Sequence, residues 1–337
     1  MSALGQKQTL QRYSAMSALP PNADIGWDLS DFRFVPIADI VIALDAIVPL
    51  NLAFLDCRRH QMKIHTVHGA TGIKLHVREY GKSTGVPILL IHGWSQSHLC
   101  WSKQYESALK DDLRMVALDL RGHGMSDAPA EIDQYTDGDK WANDIAAVID
   151  QLGLDRPILV GWSYAGYIIS DYVRRNGQGK ITGINFVDAA VVLNQKAFGT
   201  LVGPGFLDNA PDACQDDLPT NIAAIRRFLR ACIVKPISQN DFEEMLAFNM
   251  VVKSNVRNAL LQREVDFGSL LEGITVPVLV THGRSDTVVM LAMADYILNH
   301  CKSAEVSWYE GIGHAPFLEE PLRFNTELKR FAVSAHD

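Results

Sequence analysis

Residues 158–166 read Ile158-Leu159-Val160-Gly161-Trp162-Ser163-Tyr164-Ala165-Gly166. The aliphatic run at the front is continuous rather than alternating. That marks a strand covered on both faces, as in a parallel sheet packed between helices. From Tyr164 to about Arg175 the sequence predicts a helix. Ser163 then stands at the apex of a sharp strand-to-helix turn, with Gly161 two residues before it and Ala165 two after. Small residues are needed at both places because strand and helix approach closely there. Such a turn exposes the serine Oγ beside a helix N-terminus, whose free N–H groups favour developing negative charge. A serine among small residues also has a purely structural reading, and the rest of the chain bears on the choice.

Outward from this turn, strands and helices alternate. Residues 63–68 and 72–80 alternate in polarity and are rich in β-branched residues. With Gly69-Ala70-Thr71-Gly72 between them, they predict an antiparallel hairpin. Val86-Pro87-Ile88-Leu89-Leu90-Ile91 is another continuous apolar run, and Met115-Val116-Ala117-Leu118, Ile184-Asn185-Phe186-Val187 and residues 276–280 repeat its character. Amphipathic stretches such as 139–152 separate most of them. Strand and helix in regular order predict an α/β fold with a mostly parallel sheet flanked by helices. The order breaks once, because residues 192–268 hold no convincing strand. Residues 221–233 place Ile222, Ile225, Leu229 and Cys232 on one helical face and Arg226, Arg227 and Arg230 on the other. Helices at about 240–252 and 256–265 follow, so this is a helical insertion between two late strands. The three arginines read as a solvated helix face, with an anion site as the sharper alternative.

Three more clusters sit at strand ends. His92-Gly93-Trp94 follows the run that ends at Ile91. Val278-Leu279-Val280-Thr281-His282-Gly283-Arg284-Ser285-Asp286 is a strand and an acid-bearing loop, ahead of a predicted helix at 288–298 that Asp286 could simply cap. Ser307-Trp308-Tyr309-Glu310-Gly311-Ile312-Gly313-His314 is the last strand and a glycine-rich loop ending in a histidine, which alone would read as a surface residue. Together with the serine turn, these clusters resemble the nucleophile elbow, oxyanion loop, acid loop and G-x-G-H loop of the α/β-hydrolase family, over roughly residues 63–335. The elbow departs from G-x-S-x-G at Ala165, where one added methyl predicts slightly looser packing.

The resemblance implies Ser163 as nucleophile, His314 as its base and Asp286 as the orienter of that base, in the chain order expected for this fold. A serine needs such a base to attack. The resemblance also implies the backbone N–H groups of Trp94 and Tyr164 as oxyanion donors, with their side chains lining the pocket. Asp188, at the end of the run 184–187, is the alternative acid, because some members carry theirs after that strand. His92 reads as a turn residue bonded to nearby backbone. Asp119-Leu120-Arg121-Gly122-His123-Gly124-Met125-Ser126-Asp127 resembles the family's R-G-x-G-x-S turn and reads as structural, with Arg121 and Asp127 supplying loop hydrogen bonds.

The expected organisation is an α/β-hydrolase core over residues 62–192 and 269–337, with a helical cap at 193–268. Residues 1–61 read as an extension outside the domain, in which Met1-Ser2-Ala3-Leu4 recurs as Met16-Ser17-Ala18-Leu19. Residues 36–55 are long and apolar enough to raise a membrane question. Asp39 and Asp45 inside them, each costing about 3 kcal/mol near a bilayer centre, speak against a span. The extension is expected to be dispensable, and loss of soluble, active protein on deletion of 1–61 would contradict that.

The elbow residue narrows the reaction. Haloalkane dehalogenases and epoxide hydrolases of this fold use Asp there, whereas Ser163 implies an acyl-enzyme route on a carboxylic ester. The family branch resembled most is that of small esterases and cofactor-free haloperoxidases. A perhydrolase or a carbon–carbon bond hydrolase on the same triad therefore remains open. So does a ligand-binding receptor of the same fold. A small or medium uncharged ester is the expected substrate, with apolar residues of the insertion, Phe206, Phe228 and Met245 among them, available to shape its site.

No cofactor is expected. No metal is expected either, since the 11 His form no ligand signature; His65 and His68 would point to opposite faces of a strand. Five Cys (Cys57, Cys100, Cys214, Cys232 and Cys301) are scattered without a C-x-x-C pair, as in a reduced cytoplasmic protein. A formal net charge of −8 over 337 residues, with no basic run, argues against nucleic acid as a partner.

Overall fold

The structure is a computed structural model that describes residues 62–336. The expected extension 1–61, with its apolar stretch 36–55 and Cys57, lies outside the described residues. In chain order the strands are β1 (Lys63–His68), β2 (Lys74–Gly81), β3 (Val86–Ile91), β4 (Leu113–Leu118), β5 (Ile158–Trp162), β6 (Gly183–Val187), β7 (Val192–Leu193), β8 (Val265–Asp266), β9 (Val278–Gly283) and β10 (Ala304–Tyr309). The large sheet runs β1-β2-β4-β3-β5-β6-β9-β10. β1 and β2 pair antiparallel, as do β2 and β4, and every later neighbour is parallel. The continuous apolar runs form the middle of the sheet: β5, β6 and β9 are buried at every residue, whereas edge strand β1 is mostly exposed.

Strand order places the site. From β3 the chain crosses to β4 on one side, then returns to β5 on the other. The C-terminal ends of β3 and β5 therefore flank a switch point, the place where open α/β sheets hold ligands. Trp94 lies just beyond β3 and Ser163 just beyond β5. Helix α1 (Gly138–Gln151), capped by the Asp137 side chain on Asp139 N, buries Trp141, Ile145 and Val148. It packs beside α2 (Ala165–Asn176), the helix that leaves the serine turn and stops at Gly177, where φ is +72°. The R-G-x-G-x-S turn is tied down as its residue types suggest. Arg121 forks onto Asp144, and the Asp127 carboxylate accepts from Lys74 N.

Between β6 and β9 lie α3 (Leu218–Cys232), α4 (Gln239–Val251), α5 (Ser254–Leu260) and shorter turns. α3 buries Ile225, Phe228, Leu229 and Cys232 and turns its arginines outward, where Arg227 meets Asp212 and Arg230 lies over the Phe242 ring. Three expectations need correction. The stretch 192–268 does contain strand: β7 and β8 pair antiparallel at its two ends. A two-residue strand is too short to show alternation, and its partner lies about seventy residues away in sequence. The helix expected at 256–265 stops at Leu260, because Arg263 turns inward to Asp171 and Val265 joins β8. The helix expected from 288 starts at Leu291, as α6 (Leu291–His300), since the Asp286 carboxylate takes Val288 N and Val289 N into a loop turn first. The chain ends in α7 (Pro321–His336). No helix among the described residues is long and apolar enough to cross a membrane.

Candidate active site

Ser163 has φ +57°, the left-handed region that costs a non-glycine residue free energy. Backbone hydrogen bonds on both sides hold it there. Its N–H donates to Val187 O at 3.0 Å, and its carbonyl accepts from Gly166 N and Ala190 N, each at 3.0 Å. The small residues around it are needed for contact. A Cβ on Gly161 would lie 2.4 Å from Ile169 Cδ1 and 3.2 Å from Ala165 Cβ, so the Ala165 methyl occupies room that Gly161 leaves free. A Cβ on Gly166 would come within 2.3 Å of Ala190 O. The glycine that the helix side requires is thus Gly166, one residue later than the family spacing.

His314 is fully buried, and each of its polar groups but one is held. Its N–H donates to Cys232 O at 2.8 Å, its carbonyl accepts from Trp162 Nε1 at 2.7 Å, and its Nδ1 lies 2.7 Å from Asp286 Oδ2. Asp286 Oδ1 accepts from Val288 N and Val289 N at 2.7 and 3.1 Å. With a carboxylate accepting at Nδ1, the imidazole carries its proton there and a lone pair at Nε2. That Nε2 has no hydrogen-bond partner among the described residues. Asp286 and His314 are therefore joined, while Ser163 and His314 share no hydrogen bond in this structure. Trp162 bridges them, being adjacent to Ser163 and bonded to the His314 carbonyl.

Asp188 lies beside this pair, its carboxyl against that of Asp286, and makes no hydrogen bond to the His314 ring. Its Oδ1 accepts from Gly283 N at 2.8 Å, its Oδ2 is unpartnered, and its carboxyl stands close to His282 and Asp286. Complete burial, then the neighbouring Asp286 charge, push its pKa well above the usual carboxylate range. His282 has its pKa lowered by burial. It contacts the Val289 carbonyl through Nε2 at 3.1 Å.

At the end of β3, a Cβ on Gly93 would lie 3.0 Å from Ser163 Cβ, so the two loops touch at backbone level. Neither Trp94 N–H nor Tyr164 N–H has an acceptor among the described residues. His92 is a buried turn residue: Nδ1 donates to Gly93 O at 2.8 Å and Nε2 accepts from Leu120 N at 3.0 Å. Burial, then neighbouring His123, lower its pKa to about 3. His123, read from sequence only as part of a structural turn, also supports this loop by accepting from Ser95 N at 3.3 Å.

Ser163 opens into a cavity of about 30 Å³ whose walls are mostly apolar, among them Trp94, Tyr167, Phe206, Leu261 and Val289. Of the insertion residues named from sequence, Phe206 lines it and Phe228 packs behind on Trp94, with ring centroids 5.4 Å apart. Tyr167, Leu261 and Val289 carry no mark in the sequence. Each reads as an ordinary core residue, and nothing in its spacing distinguishes it.

A family model described as the alpha/beta hydrolase fold matches residues 86–321, from β3 into the start of α7. The chain belongs to that family, and it is an enzyme, a hydrolase. In structure it is similar to an esterase, RhEst1, from Rhodococcus sp. ECU1013, with TM-score 0.77 and 34% identity over 81% of this chain and 100% of that one. In sequence it is similar to a non-heme chloroperoxidase of Streptomyces lividans, 28% identical over 80% of this chain and 99% of the relative. A bifunctional esterase/perhydrolase, DCH, of Acinetobacter calcoaceticus is 27% identical over 78% and 97%.

Proposed function

We propose that this hydrolase cleaves small, uncharged carboxylic esters through an acyl-enzyme on Ser163. The observation that carries the reading is the buried His314 ring, fixed by Asp286 at 2.7 Å so that its free lone pair is on Nε2. The reading requires the Ser163 hydroxyl to reach Nε2 when substrate is bound, a hydrogen bond that apo sites often lack. Ser163 Oγ then attacks the ester carbonyl and its proton passes to His314. The carbonyl oxygen becomes an oxyanion received by Trp94 N–H and Tyr164 N–H. The C–O bond to the alcohol breaks and His314 returns the proton to the leaving oxygen. Water, deprotonated by His314, releases the acid and restores the serine. Asp286, not Asp188, is the acid in this scheme, because Asp286 is bonded to the His314 ring and Asp188 is bonded elsewhere.

The narrow apolar cavity favours a short acyl group. In a panel of activated esters, turnover is expected to peak at two to about four acyl carbons and to fall about tenfold per further methylene. Phe206→Ala should move the peak to longer chains. A preference of wild type for long or charged acyl groups would contradict the substrate class. The names of the relatives favour a second use of the same intermediate, in which hydrogen peroxide replaces water and a peracid leaves. Running the panel with and without peroxide, on wild type and Ser163→Ala, separates the two. Peracid formation that persists in Ser163→Ala would exclude the shared intermediate.

A further inference from the structure

Among the described residues, three arginines are almost wholly buried. Arg121 and Arg263 each meet a carboxylate, Asp144 and Asp171 respectively. Arg257, on α5 and with no exposed surface, forms no ion pair with a carboxylate among the described residues and is held by neutral acceptors alone. Its Nε donates to Ser95 Oγ at 2.8 Å. Nη1 donates to Ala213 O and Asn221 Oδ1 at 2.9 and 2.6 Å, and Nη2 to Asn249 O at 2.6 Å. Burial lowers its pKa to about 10, which leaves it cationic at neutral pH. Taking an ion out of water without a counterion is costly, and a hydrophobic side chain would fill the space more cheaply.

Its contacts indicate what that charge is for. Ser95, whose hydroxyl it grips, is held at φ +62° directly after Trp94. The Arg257 carbonyl accepts from Trp94 Nε1 at 3.2 Å. One residue of the insertion thus holds both members of the loop that carries the Trp94 N–H. The cavity beside Ser163 is lined by no charged side chain.

We infer that Arg257 is the positioning residue of the oxyanion hole: it locks Trp94 and Ser95 so that the Trp94 N–H meets the tetrahedral oxygen, and its uncompensated charge favours the anion formed there. The inference rests on the reading of Trp94 N–H as an oxyanion donor. It also gives the helical insertion a part in the chemistry, since Ala213, Asn221 and Asn249 fix the guanidinium from three of its segments.

The test uses the full chain with Arg257→Met, Arg257→Lys and Ser95→Gly, the last removing the hydroxyl at a left-handed position that glycine tolerates. Active sites are titrated with a fluorophosphonate. Then kcat and KM are measured on p-nitrophenyl acetate, and inhibition on phenylboronic acid. In that inhibitor a Ser163 Oγ–boron bond forms, the serine proton passes to His314, and the boron becomes a tetrahedral anion. Arg257→Met is expected to lower kcat per active site about 10- to 100-fold, with KM changed less than about threefold. Boronic-acid affinity should weaken by the same factor. Ser95→Gly should move both in the same direction, and Arg257→Lys should recover part of the loss. A merely structural role would lower melting temperature and active fraction while leaving kcat per site and boronic-acid affinity unchanged, and that result overturns the inference. If Arg257→Met does not fold, Ser95→Gly decides by the same two readouts. Turnover that survives in Ser163→Ala would overturn the underlying reading and this inference together.

Discussion

Asp286 and Asp188 differ in what their oxygens touch. Both Asp286 oxygens accept hydrogen bonds, one of them from the His314 ring, while Asp188 accepts from Gly283 N and makes no hydrogen bond to that ring. Asp286→Asn is therefore expected to lower kcat/KM about 10³- to 10⁴-fold, since an amide can present the wrong partner to Nδ1. Asp188→Asn should leave kcat/KM within about threefold, and Asn suits its backbone, at φ +41°. The same variant has a stability signature. Burial and the Asp286 charge raise the Asp188 pKa in the folded state above its unfolded value near 3.8. As pH rises past that value the unfolded chain ionises Asp188 and the folded chain does not, so wild type loses stability with rising pH. Asp188→Asn should gain on wild type over that window in urea unfolding. Equal curves at pH 4 and pH 7 would show that Asp188 is not held neutral.

Among the elements, the serine elbow is where local sequence and backbone strain meet. Gly166→Ala would place a methyl 2.3 Å from Ala190 O, and neither strand nor helix can yield without moving Ser163. A loss of about 1–3 kcal/mol in stability is expected, with activity falling alongside. Ala165→Gly, which restores the family spacing, should instead cost about 0.5–1 kcal/mol of helix propensity and gain nothing in rate. Chemical denaturation and kcat on one ester check both. A tolerated Gly166→Ala would contradict the close approach.

The elements that were legible in the sequence are those with a periodic cause. β3, β5, β6 and β9 are continuous apolar runs because both faces of the sheet are covered. α3 shows its arginine face because one side is wet. What could not be read is what depends on distant partners. β7 and β8 are too short to have a pattern. Val288 and Val289 look helical until Asp286 takes their N–H groups. Arg257 looks like a surface cation on a polar helix until α5 packs it under Ser95. Of the candidate site, Ser163, Asp286 and His314 stood out because each ends a strand in a small-residue loop. The cavity wall stayed hidden because Tyr167, Leu261 and Val289 have the spacing of any core residue.

For the whole molecule, buried neutral histidines around the β3 and β4 loops make the fold sensitive to acid. Burial first, with other groups adding smaller effects, holds His92 at about 3 and His123 at about 4, below the ordinary 6.5. Below pH 6.5 the unfolded chain takes up protons that the folded chain refuses, so stability present above 6.5 is lost as pH falls toward 4. Each histidine contributes up to about 1.4 kcal/mol per pH unit in that window. Unfolding by urea at pH 7 and pH 5 should show the loss, and His123→Gln should remove roughly 2 kcal/mol of it. An unchanged difference in His123→Gln would mean that the ring protonates within the fold.

The central claim, that Ser163 carries the acyl group, is tested most directly by rapid acid quench during turnover of p-nitrophenyl acetate, followed by peptide mass analysis. The expected result is a stoichiometric burst of nitrophenol and an acetyl adduct confined to the peptide bearing Ser163, absent from Ser163→Ala. Undiminished steady turnover in Ser163→Ala, or wild-type turnover with the acetyl group found only on another residue, would contradict it.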